Sequence, residues 1–386
     1  MKKIAIALPI VVASACALAF DMNPIDVDCW GNGLLCKPLK LSEKAKFPVH
    51  ETLTLLAYDY YLSPDSSTMG AAKTSAAALK KAGVFRDLVI GSEWNDDPDS
   101  LLRQDITQDY QWYALFQNAK VQAECKKQVA PKCAGFEIAS NPMMLYRSHF
   151  GDLQFLHSMA SRDDEPAEVT KRRMMAWAKF TYGIFVSTKN LEKTAIDSKS
   201  IPWFADVDDI LKKPGWTVGA LFDPVPGGEW KASYNPLKTG HYESSGKPRQ
   251  QNSYAEGDDR RTIVKFVALG SLLHMVQDSY SDSHTERQGS CNPIAKRKQN
   301  ILSFRNYASQ NTADHAIADA LPEWLKYGEL KTENALWASA HLIQFAFDTV
   351  PWEKGVEQFL DKEVFPLLNP QQTPTIGDRD CYLGST

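Results

Sequence analysis

The chain has no C-x-x-C pair, no internal repeat, little strand-like alternation and no excess of basic residues. Past its first residues it also has no apolar run long enough to cross a bilayer. Each absence narrows the field. Without paired cysteines at that spacing, a cysteine-ligated zinc site is disfavoured. Without a repeat, a solenoid is not expected, and without alternation neither is a sheet protein. The formal net charge of −4 offers no basic surface of the kind that binds duplex nucleic acid. Without an apolar span beyond the N-terminus, no transmembrane anchor is expected.

The first residues form a recognisable segment. Lys2 and Lys3 precede the apolar run from Ile4 to Cys16, and Ala17-Leu18-Ala19 follows. That order is the charged, hydrophobic and small-residue plan of an export signal, here residues 1–19. Pro9 and the short run argue against a membrane anchor. Cys16 follows Ala13-Ser14-Ala15, which lacks the large aliphatic residue of a lipoprotein site, so cleavage after Ala19 is expected. Losing Lys2 and Lys3 would move the formal charge from −4 to −6. A secreted or periplasmic monomer is the expectation. Six cysteines remain: Cys29, Cys36, Cys125, Cys133, Cys291 and Cys381. An even count in an exported chain reads as disulfides. Cys29–Cys36, Cys125–Cys133 and Cys291–Cys381 are candidate pairs among about 15 possible connectivities.

Residues 20–386 read as a single, mainly helical domain. Helical spacing of apolar residues runs through 69–83, 166–187, 258–280 and 333–350. A segment of about 190–255 is rich in Pro, Gly and Trp, and densest in them over 201–253. It reads as an ordered insertion on the surface or over a site. Residues of about 325–386 read as a C-terminal extension.

The chemistry lies in the histidines. His274-Met-Val-Gln-Asp278 places an imidazole and a carboxylate one helical turn apart, where both can ligate one metal and the carboxylate can bridge two. His284 lies off that face on an unbroken helix, so either it serves another ion or the helix ends near Ser281. His315-Ala-Ile-Ala-Asp319 repeats the one-turn spacing. One such pair is often a surface ion pair or a buried hydrogen-bonded histidine; two, with His284 between them, are less readily a coincidence.

The string HxxxDxxxxxH followed by HxxxD resembles the zinc-dependent phospholipase C family, a pattern shared with the fungal single-strand-specific zinc nucleases. Ser148-His149-Phe150-Gly151-Asp152 is similar to the family's SHF segment, and Gly91-Ser92-Glu93-Trp94-Asn95-Asp96-Asp97 to its glycine-to-aspartate metal motif. His50 stands where the family has its N-terminal histidine. The resemblance implies an all-α, multi-helix bundle with up to three zinc ions. It implies that Asp96, or else Asp97, joins His149 and His274 on one zinc, with Asp278 bridging to a second held by His50. His284, His315 and Asp319 would hold the third. Asp96 would orient or deprotonate the attacking water, and Tyr146 would line a choline pocket. The implied activity is hydrolysis of phosphatidylcholine at a membrane surface to diacylglycerol and phosphocholine. The alternatives are an extracellular single-strand nuclease and a non-catalytic zinc-binding surface protein.

The chain departs from the family in places. The family's mature chain begins with a zinc-binding Trp, whereas cleavage here leaves Phe20, and the nearest tryptophan is Trp30. The gap between His149 and His274 is long, and the tail is too short for a lipid-binding β-sandwich. Outside the motifs, His157 reads as a residue behind the metal ligands or in the core, with core preferred, His241 as solvent-facing and His341 as a packed helical residue. N-terminal sequencing of the exported protein should begin at Phe20; a mature protein that retains Met1 would refute the export signal.

Overall fold

The sequence from Asp258 to Asp278 carries apolar residues on every side of a helix: Ile263, Val264, Phe266, Val267, Leu269, Leu272, Leu273, Met275 and Val276 are all buried. A helix apolar all round belongs in the centre of a bundle. The computed structural model describes residues 49–62, 83–98, 144–191, 194, 217–222, 258–288, 299–307 and 334–375. Of the described part, 62% is helical and 6% is strand. None of its helices is long and apolar enough to cross a membrane.

In chain order the helices are α1 (Val49–Leu62), α2 (Gly83–Glu93), α3 (Met144–Phe150), α4 (Ala167–Val186), α5 (Val218–Phe222), α6 (Asp258–Asp278), α7 (Ala335–Phe347) and α8 (Val356–Phe359). A 3-10 turn, Gln154–His157, follows α3. Helix α6 is the axis. It packs most extensively on α2, and also on α4, α7, α5 and α1. The helices expected over 166–187, 258–280 and 333–350 form within a few residues of those limits. Most of the 69–83 stretch lies outside the described residues.

Helices α2 and α6 meet backbone to backbone. A Cβ on Gly270 would lie 2.5 Å from the Gly91 Cα and the Leu88 carbonyl oxygen. A Cβ on Gly91 would lie 2.6 Å from the Val267 Cα and carbonyl oxygen. Real side chains do not fit at such distances, so the two glycines permit the crossing. Around it the aromatic rings close the core: Trp94 stacks on Trp177 at 5.6 Å, and Phe222 lies 5.2 Å from Trp94.

Parts of two segments set apart in the sequence contribute to the core. Within the expected insertion, residues 217–222 are described and pack into the core. Val218, Leu221 and Phe222 of α5 are fully buried, and the Leu221 carbonyl accepts from the Trp94 indole at 3.1 Å. Its apolar Val-Gly-Ala-Leu-Phe run explains why it joins the core. In the region of about 325–386, residues 334–375 are described and also pack on the bundle. Helix α7, capped by the Asn334 side chain on the Leu336 and Trp337 amides, packs on α1 and α6. Further on, the carbonyls of Gln372 and Pro370 accept from the amides of Ala167 and Glu168 at 2.9 Å. They satisfy orphan donors at the start of α4, where Pro166 has no capping side chain.

After α6 the chain makes a short antiparallel hairpin, β1 (Thr285–Arg287) with β2 (Ile301–Phe304), pairing Thr285 with Phe304. Buried Arg287 locks it in place, donating to the carbonyls of Ser279, Gln299 and Val364 and lying 4.4 Å above the Tyr280 ring.

Gly270→Ala should lower stability by about 3 kcal/mol or more, because backbone atoms cannot yield as side chains do. Helix propensity alone would favour alanine by about 1 kcal/mol, so the sign is diagnostic. At Gly355 an added Cβ meets only ordinary contacts, at 3.7 and 4.0 Å. Gly355→Ala should stay within about 0.5 kcal/mol in the same urea titration.

Candidate metal centre

The crossing at Gly91 and Gly270 brings the end of α2 against the last turns of α6. The Ser92 carbonyl accepts from His274 Nδ1 at 2.6 Å. Asn95, in the turn after α2, donates to the carbonyls of Leu156 and Ser271 at 2.6 and 3.1 Å. Its Oδ1 accepts from the Ser271 hydroxyl at 2.5 Å, and that hydroxyl accepts from the Trp177 indole at 3.2 Å. This buried network is internally satisfied and leaves Asp96, the next residue, facing α6.

Seven side chains meet there: His50, Asp96, His149, His157, His274, Asp278 and His284, all buried. Asp278 is the hub. Its Oδ1 lies 3.2 Å from His50 Nε2. Its Oδ2 lies 3.0 Å from both His274 Nε2 and His157 Nδ1, and 3.5 Å from His284 Nδ1. Asp96 Oδ1 lies 3.7 Å from His149 Nε2 and 3.8 Å from His157 Nδ1, while its Oδ2 is 3.9 Å from His274 Nδ1. Three overlapping sets have ligand atoms close enough to share an ion: His50, His274 and Asp278; Asp96, His157 and His274; His157, Asp278 and His284.

The rings are oriented by their outer nitrogens. A carbonyl oxygen can only accept, so the nitrogen facing it must carry the proton. His149 Nδ1 donates to the Leu145 carbonyl at 3.0 Å, His274 Nδ1 to Ser92, and His157 Nε2 to the Asn95 carbonyl at 3.1 Å. His50 Nδ1 donates at 2.8 Å to Gln277 Oε1, whose amide nitrogen donates in turn to Thr54 Oγ1 at 3.0 Å. Each of these four rings, when neutral, therefore presents a lone pair towards the carboxylates. Carbonyl-anchored imidazoles of this kind are how proteins set histidine for metal. His284 Nδ1 donates to the His157 carbonyl at 2.6 Å.

The electrostatics agree. Burial is the main cause that pushes His149 well below its ordinary value, lowers His157 and brings His274 down to about 3. For Asp278, burial alone would push the carboxyl up; the facing nitrogens of His284, His274, His50 and His157 outweigh it and hold it well below the usual carboxylate range. An ionised carboxylate buried among largely neutral rings is costly without positive charge beside it. A divalent cation resolves the conflict, and nitrogen with carboxylate is a donor set that suits zinc. The residues present therefore fit such an ion. Comparison with known protein families, curated proteins and solved structures finds no match.

The structure brings together six of the residues selected from sequence: His50, Asp96, His149, His274, Asp278 and His284. It is Asp96, rather than Asp97, whose carboxylate lies among the imidazoles. Helix α6 ends at Asp278, and the turn that follows swings His284 back to the same centre. His315 and Asp319 lie outside the described residues, as do His241 and all six cysteines of the expected disulfides. Tyr146 is 3% exposed within α3, among the core side chains. Trp94 is a core ring, and His341 packs on Trp337 and Phe359 while donating to the Trp337 carbonyl at 3.0 Å.

His157 is the correction. Placed by preference in the core, with a position behind the ligands as the alternative, it stands in the middle of the cluster. Helix α3 stops at Phe150 and the 3-10 turn aims the ring at Asp278; Ser158 then turns the chain in a left-handed conformation, φ 52°, with its hydroxyl donating to the Met275 carbonyl at 2.5 Å. No carboxylate stands one turn from His157 in sequence, so no local spacing marked it. Tyr307 was also missed. Its ring lies 5.6 Å from His149, 6.0 Å from His284 and 6.2 Å from His157.

The depressed histidines make a prediction for the metal-free protein. Unfolded rings take up protons near pH 6.5, whereas folded His274 does so only near pH 3. Between these values the unfolded chain binds more protons, so stability is complete above about pH 6.5 and falls as pH drops. Urea midpoints of the chelator-treated protein should fall steadily from pH 7 to pH 4. A flat profile would mean that the inner nitrogens are already protonated in the folded state.

Proposed function

We propose that this chain is an exported zinc-dependent phosphodiesterase, with choline phospholipid as substrate and diacylglycerol and phosphocholine as products. The observation that supports the metal part is the set of buried, carbonyl-anchored imidazoles turned towards Asp278. The choice of substrate rests on the phospholipase-like order of motifs from His50 to Asp319. A bound zinc ion supplies the charge that draws in a phosphodiester and makes water acidic enough to react near neutral pH.

The chain's own groups do the rest. Asp278, ionised in the midst of the imidazoles, ties the two sides of the centre together, Oδ1 towards His50 and Oδ2 towards His157 and His274. Asp96 Oδ1 is the carboxylate that orients the attacking water and takes its proton. The carbonyls of Leu145, Ser92 and Asn95 keep the rings from turning as charge develops.

One observation favours a second reading, a zinc protein without catalysis: every described side chain of the cluster is buried, as in a closed structural site. The purified protein, assayed on phosphatidylcholine vesicles and on single-stranded RNA with and without chelator, separates the readings. Chelator-sensitive lipid cleavage is the expected result. Cleavage of RNA alone would make it a nuclease, and cleavage of neither would leave the non-catalytic zinc protein. Asp278→Asn, which keeps the shape and removes the charge, should cut zinc affinity and lipid hydrolysis by more than about 100-fold, beyond what loss of an orienting partner produces. Full zinc content and activity in that variant would refute the bridging role.

A further inference from the structure

We propose that His157 is itself a metal ligand, through Nδ1, at the point where the ligand sets overlap. This rests on the metal-centre part of the proposed function and adds a residue that neither the motif spacing nor the family pattern supplies. His157 Nδ1, His274 Nε2 and Asp278 Oδ2 form a nearly equilateral triangle with sides of 3.1, 3.0 and 3.0 Å. A tetrahedral zinc ion with bonds of about 2.0–2.1 Å has ligand-to-ligand edges of roughly 3.3–3.4 Å, so the triangle is close to one face of such a polyhedron.

The chemistry of the three atoms leaves them little else to do. His157 Nε2 and His274 Nδ1 donate to carbonyl oxygens, so the two inner nitrogens, 3.1 Å apart, both present lone pairs when the rings are neutral. Two lone pairs and a carboxylate oxygen at such distances repel one another unless a cation sits against the face they make. The ring is held there from both sides. Asn95, locked by its own side-chain bonds to Leu156 and Ser271, fixes Nε2. The Ser158 hydroxyl, on the Met275 carbonyl, fixes the backbone to α6. Such anchoring holds a ligand nitrogen in a fixed direction.

The test is His157→Gln in the full chain. The glutamine amide nitrogen can stand in for Nε2 and still donate to the Asn95 carbonyl, while the inner lone pair is lost. Zinc affinity is measured on metal-depleted protein by competition with a chromophoric chelator, and cobalt(II) absorption reports the nitrogen donors. The variant should bind its tightest zinc more than about 100-fold more weakly, outside the 10–100-fold range of a residue that merely orients a ligand, and its cobalt spectrum should change. His341→Gln, away from the cluster, should alter neither. A smaller loss with an unchanged cobalt spectrum would overturn the assignment of His157 and leave the proposed function standing. A wild-type chain that takes up no zinc would overturn both. If His157→Gln does not fold, NMR-active cadmium bound to the wild-type protein decides the matter: coupling to His157 Nδ1 is expected, and its absence overturns the proposal.

Discussion

Everything near the metal centre depends on the contact between Gly91 and Gly270. Two helices with ordinary side chains keep their axes about 8–10 Å apart, whereas here the backbones of α2 and α6 meet directly. With no Cβ at either crossing point, the Ser92 carbonyl of α2 reaches His274 of α6. The same approach lets Asn95 bond across to the Ser271 backbone and hydroxyl, which leaves Asp96 facing the imidazoles. A structural feature with no chemistry of its own thus sets the spacing of a chemical one.

The centre is organised from outside inwards. Outer nitrogens are consumed by fixed acceptors, the carbonyls of Leu145, Ser92 and Asn95 and the amide oxygen of Gln277, so the tautomer of each ring follows from its surroundings. Inner nitrogens are then lone pairs, brought together in a place where burial opposes their protonation. Burying carboxylates beside neutral rings is costly unless positive charge joins them. The same arrangement that opposes protonation of the rings is the one that suits them to a divalent cation.

Distant parts of the chain hold this geometry. Helix α7 joins α1 and α6, with Ser339 beside the Gln277 amide that orients His50. The segment around Pro370–Gln372 caps α4, and Arg287 ties the hairpin to the end of α6, just after Asp278. Because the His284 carbonyl accepts from the Arg305 amide, the hairpin also fixes the residue that folds back on Asp278.

The helices were legible wherever apolar residues recur at helical intervals, as in 166–187 and 258–280, because burial along one stripe or all round leaves a periodic trace. The one-turn spacing of His274 and Asp278 was legible for the same reason: a helix converts a sequence interval into a spatial one. His157 was not, since its place among the imidazoles comes from a 3-10 turn, a left-handed serine and a carbonyl 62 residues away. Nor was the burial of α5 inside a segment rich in proline and glycine, or the glycine crossing that sets the whole arrangement. Local spacing is written along the chain, whereas the meeting of residues far apart in it depends on how closely two backbones can approach, and only the packed helices settle that distance.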